Sequence, residues 1–332
     1  MDGICTLGND YVYDQVVALL NSIEAVLGSD FPVCIYPYDE RTSQLAAFIA
    51  DRPQVQIYQD SVSMEKWDRF AKRAWDTHPT AFQRWEAAGN NGYYRFGTHR
   101  RYCAFDGPFD RFLYMDADTL LLKDIQFIFE QLEQSDCVVY DFQHKDLTHV
   151  YDVNSEKLTQ VFPQTRLETE IFCSGFHASK RDFFPAETRE QLIESLQSGD
   201  AEVLYPMAPD QTLLNYMMMK SGAKICNFAL TLPKEQKTGN SATSPHFVWR
   251  DKTLYDHDKP LTYLHYIGIS SKVFKKVCAG ENLDFPYREV FLHYRYLHNP
   301  QKCPQFSGKP KPYNAPPNLM QRALKKLGLT TQ

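Results

Sequence analysis

Strand and helix patterns alternate in a regular order over residues 1–60. Three short apolar runs, GICTLG, PVCIYPYD and VQIYQ, are typical of buried strands. Two amphipathic runs between them, YVYDQVVALLNSIEAVLG and TSQLAAFIA, predict helices, and the first should end at Gly28. This β-α-β-α-β order predicts a parallel sheet covered by its crossover helices, and therefore an α/β fold.

Two aspartates follow a fourth apolar run. RFLYM predicts a central strand, and Asp116 and Asp118 come directly after it. Open α/β sheets bind their ligands at the carboxyl ends of the strands. We therefore expect the Asp-Ala-Asp sequence to lie at the functional edge of the sheet.

Further elements are predicted on both sides of these aspartates. Helices over 64–75 and 93–105 precede them. The elements predicted after them are a helix over 125–132, the strand CVVYDF, a polar loop, the short segment IFCSGFHAS, helices over 189–196 and PDQTLLNYMMMKSG, the strand LTYLHYIG, and a helix over 287–297. We divide the chain into one domain over residues 1–300 and a proline-rich basic tail over residues 301–332.

The tail allows two interpretations. Between residues 319 and 328 the pattern places apolar residues on one helical side and Arg322, Lys325 and Lys326 on the other. Such a helix could rest on an anionic membrane near a lipid-linked acceptor. An ordinary solvated terminal helix has the same pattern, so peripheral membrane contact is one of two expectations.

Charge and cysteine content limit the function classes. The net charge of −5 excludes general nucleic-acid binding, which requires a basic face. The 8 cysteines form no Cys-x-x-Cys pair, so neither a structural zinc site nor a disulfide scaffold is predicted. Since no leader-like or membrane-spanning pattern is present, we expect a cytoplasmic protein with reduced thiols.

The aspartate pair itself allows several chemistries. An EF-hand loop starting at Asp116 would need glycine and glutamate where Leu121 and Phe127 stand, so that interpretation fails. LYMDADTLL fits a haloacid-dehalogenase-type phosphatase locally, with Asp116 as nucleophile, but the motif comes late and no downstream acidic pair is evident. A third possibility is the DxD site of a nucleotide-sugar glycosyltransferase, in which a divalent cation grips the donor diphosphate. A bare pair could also simply cap a helix or form a turn.

The order of the surrounding motifs favours the third possibility. CTLGNDYVYDQVVALLNSI, YMDADTLLLKD, IFCSGF, PDQTLLN and LHYIG follow one another over residues 3–280. Together they resemble glycosyltransferase family 8, which includes glycogenin and bacterial lipopolysaccharide galactosyltransferases. The matching family motifs are the opening strand with its Asn-Asp turn, the DxD site, the FNSG segment, the DQxxxN helix and the HxxG motif. The resemblance implies a GT-A fold, a Rossmann-like, mixed but mostly parallel sheet flanked by helices.

The resemblance also implies a metal site and a donor site. Asp116, Asp118 and His265 would bind Mn²⁺ or Mg²⁺, and imidazole beside carboxylates suits Mn²⁺. A lone histidine on an apolar strand is more often a core residue, but the following Tyr266 and Gly268 favour the ligand interpretation. The residues implied to contact the nucleotide-sugar donor are Thr6, Asn9, Tyr11, Arg100, Asp116, Ala117, Asp118, Gly268 and Lys272.

Alternatives stay open at several of these positions. Tyr13 could replace Tyr11 in stacking on the base, and Arg95 is a rival to Arg100. Lys272 comes one residue later than the family's phosphate-binding lysine. Cys173 stands where the family has an asparagine that touches the sugar, so the identity of the sugar does not carry over.

Catalysis is assigned to the start of the PDQTLLN helix. The resemblance places Asp210 and Gln211 beside the reactive carbon of the sugar, although Asp210 could instead cap the helix. The implied reaction is metal-dependent transfer of a hexose from a UDP-sugar to a hydroxyl of a carbohydrate or glycolipid acceptor, with retention of configuration. The alternatives are the phosphatase and a non-catalytic sugar-binding protein of the same fold, which would not need all three metal ligands.

Overall fold

A mixed seven-stranded sheet forms the centre of the molecule in the computed structural model, which describes residues 1–315. In chain order the strands are β1 (Asp2–Gly8), β2 (Val33–Pro37), β3 (Val55–Ile57), β4 (Arg111–Met115), β5 (Thr119–Leu121), β6 (Cys137–Val139), β7 (Phe176–Lys180), β8 (Ile225–Asn227), β9 (Val248–Arg250), β10 (Thr253–Asp256), β11 (Lys259–Pro260), β12 (Tyr263–His265), β13 (Leu283–Asp284) and β14 (Lys311–Pro312).

The α-helices cover both faces of this sheet. They are α1 (Tyr13–Leu27), α2 (Ser43–Ile49), α3 (Ser61–Asp76), α4 (Ala81–Ala87), α5 (Gln126–Gln131), α6 (Leu158–Val161), α7 (Gln164–Leu167), α8 (Ala186–Gln197), α9 (Pro209–Lys220), α10 (Phe228–Thr231), α11 (Ser271–Cys278) and α12 (Arg288–Arg295). The 3₁₀ segments are Asp10–Val12, Phe96–Asp106, Gln143–Lys145, Leu147–His149, Asp200–Val203 and Pro300–Lys302.

The strand order in the main sheet is β3-β2-β1-β4-β7-β6-β8. All neighbours are parallel except β7, which runs antiparallel to both β4 and β6. The central strands β1 and β4 read as continuous apolar runs because helices bury them on both faces. The prediction of a mixed, mostly parallel α/β sheet flanked by helices is confirmed.

Helix α1 is buried on both of its long sides. Its residues from Gln15 to Ile23 are all buried, since one side packs on the main sheet and the other contacts β5, α11 and α12. Gly28 ends the helix with a φ of 92°, a conformation that glycine adopts without strain. The helix therefore joins the main sheet to a second layer formed by the later part of the chain.

That second layer carries the short antiparallel pair of β5 and β12. The pair places His265 opposite Thr119 and Tyr263 opposite Leu121. Its own apolar core includes Leu120, Leu264 and Phe274. The layer thus brings a late strand of the chain against the segment that follows Asp118.

The region predicted as a helix over 93–105 is a 3₁₀ helix over Phe96–Asp106. Three residues per turn stack side chains at i and i+3, so His99, Tyr102 and Phe105 form one aromatic stripe. Tyr102 and Phe105 pack against Trp67 of α3, at centroid distances of 5.7 and 6.1 Å. An α-helical period would not keep this stripe on the core, which explains the tighter helix.

The first part of the predicted tail packs on the domain that precedes it. Strand β14 pairs with β13, and Phe306 and Tyr313 pack on the core of the second layer. The amphipathic helix predicted over 319–328 lies outside the described residues. Within residues 1–315, the helices are all too short or too polar to cross a bilayer.

Candidate functional site

The two aspartates lie at the carboxyl end of β4, as predicted. A tight turn fixes them: the Thr119 N–H and hydroxyl donate to the Asp116 carbonyl at 3.0 and 2.7 Å. The Asp116 N–H donates to the Gly175 carbonyl at 2.9 Å, which ties the turn to the segment before β7. These hydrogen bonds fix the backbone of the turn. The two carboxylates themselves take no part in them and stay available for a ligand.

His265 is brought to this turn by the ladder between β5 and β12. The Tyr266 N–H donates to the Asp118 carbonyl at 2.9 Å, and the His265 N–H donates to the Asn240 carbonyl at 2.7 Å. His265 Nε2 lies 3.4 Å from Asp118 Oδ1. One ligand atom from each of Asp116, Asp118 and His265 can be chosen so that all three lie within 4.8 Å of one another. The three predicted metal ligands thus meet in space.

Electrostatics couple His265 to Asp118. Burial alone would lower the pKa of His265, but the adjacent Asp118 carboxylate outweighs it and holds this pKa well above its ordinary value. The pKa of Asp118 is correspondingly lowered, since attraction to His265 outweighs the cost of burial. A protonated imidazole is not a ligand, so cation binding requires His265 to lose its proton.

The space beside these groups is kept open by Gly175. A Cβ atom at this position would lie 2.6 Å from Asp116 Oδ2 and 2.8 Å from His265 Cε1. Only a glycine therefore allows the carboxylate and the imidazole to approach each other here. Two carboxylates and one imidazole suit Mn²⁺, and also Mg²⁺ by their oxygens, so the residues present fit the predicted cation.

Replacing Gly175 by Ala is expected to weaken Mn²⁺ binding about tenfold or more, an effect comparable to disturbing the groups that orient metal ligands. The added methyl group must displace Asp116 or His265, because the backbone of Gly175 is otherwise compatible with alanine. Mn²⁺ titration followed by electron paramagnetic resonance measures the affinity. Equal affinities in the two proteins would show that Asp116 and His265 do not share a cation.

Arg101 is the main cation of the site, and it was not predicted. Its side chain is 4 % exposed, and its Nη2 lies 3.2 Å from Asp116 Oδ1 and 2.9 Å from Asp210 Oδ2. Its Nη1 donates to the Ser174 carbonyl and hydroxyl at 3.0 and 2.8 Å. The guanidinium also lies over the Tyr114 ring at 4.8 Å. Arg101 therefore links the DxD turn to the start of α9.

The predicted donor-binding arginine, Arg100, lies outside the site. It donates to the Pro37 carbonyl at 3.2 Å and to Asp68 at 3.3 Å. In a 3₁₀ helix adjacent residues point about 120° apart, so Arg100 and Arg101 cannot share a direction. Its rival Arg95 does line the cavity next to the aspartates. The sequence offers no signal that selects Arg101 from the neighbouring pair.

Side chains of the DQxxxN motif hold the segment before β7 by hydrogen bonds. Gln211 Oε1 accepts the Ser174 N–H at 3.1 Å, and Gln211 Nε2 donates to the His149 carbonyl at 2.8 Å. Asn215 exchanges two hydrogen bonds with the backbone of Phe172, at 2.9 and 2.8 Å. Both ends of the Gln211 amide are therefore engaged in holding the backbone that carries Ser174.

Asp210, next to Gln211 at the start of α9, is a buried carboxylate. Burial raises its pKa, but Arg101 outweighs this and lowers it below the usual value. Asp210 is therefore ionised at neutral pH. The Ser174 hydroxyl also lies 3.4 Å from its Oδ2.

A further buried acid, Asp141, was not predicted. It follows β6, and it accepts the Cys173 N–H at 3.1 Å and the Gln143 N–H at 2.7 Å. Burial raises its pKa to about 7, against the lowering effect of these bonds and of His265. An acid directly after the strand CVVY repeats the arrangement of Asp116 after RFLYM, which is the signal that could have identified it.

A cavity of about 490 Å³ opens beside the aspartates. Its lining includes the predicted residues Asn9, Tyr11, Asp116, Ala117 and Asp118, and the unpredicted residues Gln15, Tyr38, Arg41, Thr98 and Arg101. A larger cavity of about 610 Å³ lies elsewhere, around Phe127 and Phe228, and none of the three metal-ligand candidates lines it. The smaller cavity is therefore the one that can combine a cation with a bound molecule.

Tyr11 and Asn9 are fixed at one wall of this cavity. The Tyr11 N–H donates to Asn9 Oδ1 at 3.0 Å, and Asn9 Nδ2 donates to Asp39 at 2.9 Å. Lys275 Nζ lies 4.7 Å from the centre of the Tyr11 ring. The alternative residue, Tyr13, packs instead against Phe48 at 5.9 Å. The structure thus brings Tyr11 to the cavity and not Tyr13.

Three other predicted donor residues lie at or beyond the edge of the cavity. Thr6 is fully buried within β1, and its Oγ1 has no hydrogen-bond partner among residues 1–315. Gly268 forms the turn after β12 with a φ of 79°, which favours glycine. The Lys272 side chain is exposed near the start of α11, where its neighbour Ser271 lines the cavity.

Comparison with known proteins shows which fold the chain shares. No protein-family model matches the chain, and a comparison with the curated proteins finds no match either. Among solved structures, the bifunctional glycosyltransferase WbbM in its apo form is 14% identical, with a TM-score of 0.53 over 91% of this chain; the chain spans only 51% of WbbM. Mouse xyloside xylosyltransferase 1 is 12% identical (TM-score 0.47, covering 68% of this chain and 84% of that one).

The galactosyltransferase LgtC, in complex with donor and acceptor sugar analogs, is 13% identical, with a TM-score of 0.46 over 83% of this chain and 94% of LgtC. At these identities the likeness to WbbM concerns the fold alone. It accompanies the mixed, mostly parallel sheet and the flanking helices described above. The chain therefore has the GT-A fold of the glycosyltransferases, as its sequence predicts.

Proposed function

We propose that the protein transfers a sugar from a nucleotide-sugar donor to a hydroxyl acceptor. The observation that carries this proposal is the convergence of Asp116, Asp118 and His265 beside a cavity with several arginines, on a GT-A fold. The donor would lie in the cavity with its diphosphate at the aspartates. We further propose that it is a UDP-hexose, that the acceptor is a carbohydrate or glycolipid, and that the protein is cytoplasmic.

Asp116, Asp118 and His265 would hold Mn²⁺ or Mg²⁺. When bound, the ion would supply Lewis-acid stabilisation of the nucleoside diphosphate that leaves the sugar. The arginines add positive charge on the same side: Arg41, Arg95 and Arg101 all line the cavity, and Arg101 also pairs with Asp116. Preorganised charges of this kind stabilise a leaving group without any rearrangement during the reaction.

Binding of the base and stabilisation of the reacting carbon are assigned to residues on either side of the proposed diphosphate position. Tyr11 offers a ring face for the base, and Asn9 holds the backbone of Tyr11 in place. On the other side, Asp210 is the carboxylate that lies 3.4 Å from the Ser174 hydroxyl, and it would stabilise positive charge on the anomeric carbon. Gln211 would act there by fixing the Ser174 backbone.

The proposed reaction needs no enzymic nucleophile. The bond between the anomeric carbon and the phosphate oxygen breaks, and its electrons stay on that oxygen. The acceptor hydroxyl forms the new bond to the anomeric carbon, and its proton passes to the departing phosphate oxygen. Attack from the same side retains the configuration. Positioning and charge stabilisation would then supply most of the rate.

Thermal melting with UDP and with GDP, each with and without Mn²⁺, tests the donor site. A ligand that binds only the folded state at 100 times its Kd stabilises that state by about 2.7 kcal/mol. We expect a rise in melting temperature with UDP that depends on Mn²⁺. The Asp118→Asn variant should lose the Mn²⁺-dependent part. Absence of any shift with either nucleotide would contradict the proposal.

The phosphatase alternative predicts different chemistry at the same residues. It requires Asp116 as a free nucleophile, yet Asp116 Oδ1 accepts the Tyr114 hydroxyl at 3.0 Å and faces Arg101 at 3.2 Å. Both contacts stabilise the carboxylate charge and lower its reactivity. A phosphatase would release phosphate from small phosphate esters with Mg²⁺, and the Asp116→Asn variant would lose this activity. That result would favour the phosphatase over the glycosyltransferase.

A further inference from the structure

A second group of metal-ligand side chains lies outside the cavity, at the hairpin between β10 and β11. One ligand atom each from His246, Asp256 and His257 can be chosen so that all lie within 4.8 Å of one another. His246 Nε2 is 3.1 Å from Asp256 Oδ1, and His257 Nε2 is 3.7 Å from the same oxygen. We propose that these three residues form a second cation site, of the zinc class, distinct from the site at the aspartates.

The carboxylate of this group is already oriented for such a role. The Asp256 side chain is 12% exposed, and its Oδ2 accepts the Gly239 N–H at 2.7 Å. That bond leaves Oδ1 facing both imidazoles. Ligands of bound metals are held in this way by hydrogen bonds from groups behind them. The two imidazole rings are roughly parallel, with centroids 5.4 Å apart and an interplanar angle of 28°.

The turn between β10 and β11 carries the third residue of this group, His257. Strands β10 and β11 are joined through His257 and Asp258, and His257 has a φ of 57°. Such a position favours glycine, and asparagine, aspartate and histidine are the other residues enriched there. The turn therefore accepts a histidine and brings its imidazole to 3.7 Å from Asp256 Oδ1.

The chemistry of the group indicates which cation it would take. Two imidazoles and one carboxylate suit Zn²⁺ and similar transition ions, and not Ca²⁺ or Mg²⁺, which prefer oxygen ligands. Zinc bonds of about 2.1 Å in a tetrahedral arrangement separate neighbouring ligands by about 3.4 Å. The observed separations of 3.1 and 3.7 Å lie on either side of that value. Water would complete the coordination, since the side chains of His246 and His257 are 48% and 77% exposed.

A cation here would join two parts of the second layer. His246 lies at the end of a loop from Gly239, and the other two ligands belong to the hairpin of β10 and β11. The same loop bonds to His265 on both sides: the Asn240 carbonyl accepts the His265 N–H at 2.7 Å, and the Ala242 N–H donates to the His265 carbonyl at 2.9 Å. The second cation would thus stabilise the loop that fixes the backbone of His265.

Zinc titration by isothermal calorimetry tests the proposal on the full-length chain carrying Asp118→Asn, which weakens the first site. We expect one saturable Zn²⁺ equivalent and a rise in melting temperature with Zn²⁺. His257→Asn should lower the affinity at least about tenfold and remove the thermal shift. Asparagine tolerates the positive φ of this position, so the fold should persist. His246→Ala should have the same effect.

The matched control is His298→Asn, because His298 forms a similar surface pair with Glu24 at 3.2 Å but belongs to no group of three such ligands within residues 1–315. This variant should bind Zn²⁺ as its parent does. Absence of saturable binding in the Asp118→Asn protein, or binding that His257→Asn leaves unchanged, overturns the proposal. The experiment uses no nucleotide, so its outcome is independent of the proposed sugar transfer.

Discussion

Replacing Asp118 by Asn is expected to abolish metal-dependent sugar transfer and leave the fold intact. The neutral amide is a poor cation ligand, and a bound cation contributes several kcal/mol to stabilising the leaving group. Because each 1.36 kcal/mol changes the rate tenfold, we expect a loss of about 10³-fold or more. Asparagine has nearly the same shape, and His265 can pack in its neutral form once the carboxylate is gone. Thermal melting and donor-turnover assays measure the two properties separately.

Asp124→Asn is the matched control for this prediction. Asp124 lies in the same segment, but its carboxylate is exposed and accepts the Gln126 N–H at 2.8 Å. Its replacement should leave transfer activity unchanged. Full activity of Asp118→Asn with Mn²⁺ present would exclude the assigned metal site, and with it the proposed mechanism.

Replacing Arg101 by Met is expected to produce the largest loss of stability of any single change at the site. The guanidinium is the partner of two carboxylates, and Asp210 is buried. Removing one partner from a buried ion pair costs about 3–5 kcal/mol, because the remaining charge is left without compensation. Urea denaturation at neutral pH measures the change. Arg100→Met, in the same helix but with a partly exposed pair to Asp68, should cost about 1 kcal/mol or less.

The loss caused by Arg101→Met should shrink as the pH falls. In the wild-type protein Arg101 lowers the pKa of Asp210, so its contribution is present above the ordinary carboxyl pKa and is lost on acidification. Without Arg101, burial raises the pKa of Asp210, and stability then falls as the pH rises above the ordinary value. The difference between the proteins is therefore largest at neutral pH. Equal costs for Arg101→Met and Arg100→Met would contradict the assigned linkage.

The sequence predicts those strands, helices and site residues that short runs of neighbouring residues determine. The alternating runs predicted β1, α1, β2, α2 and β3, and the apolar run before Asp116 predicted β4. The strand periodicity also placed the aspartates at the correct end of the sheet. These features are local, so neighbouring residues alone are enough to reveal them.

Features that depend on helix type or on distant partners were not predictable. A 3₁₀ helix and an α-helix direct successive residues differently, and here Arg101 lies beside Asp116 whereas Arg100 pairs with Asp68. The positions of His246 and Asp256 beside each other depend on a loop and a hairpin that no periodicity describes. Asp141 becomes a site residue only because β6 and β7 pair, which joins it to Cys173.

The place of β12 in the chain has a consequence for biosynthesis. The main sheet is complete once β8 has formed, at Asn227, whereas His265 comes later, in a strand outside that sheet. During translation from the amino terminus, the growing chain can therefore assemble its main sheet before the imidazole emerges from the ribosome. At that stage Asp116 already has Arg101 as a partner but Asp118 still lacks His265, so the group of three side chains can form only after β12 has paired with β5.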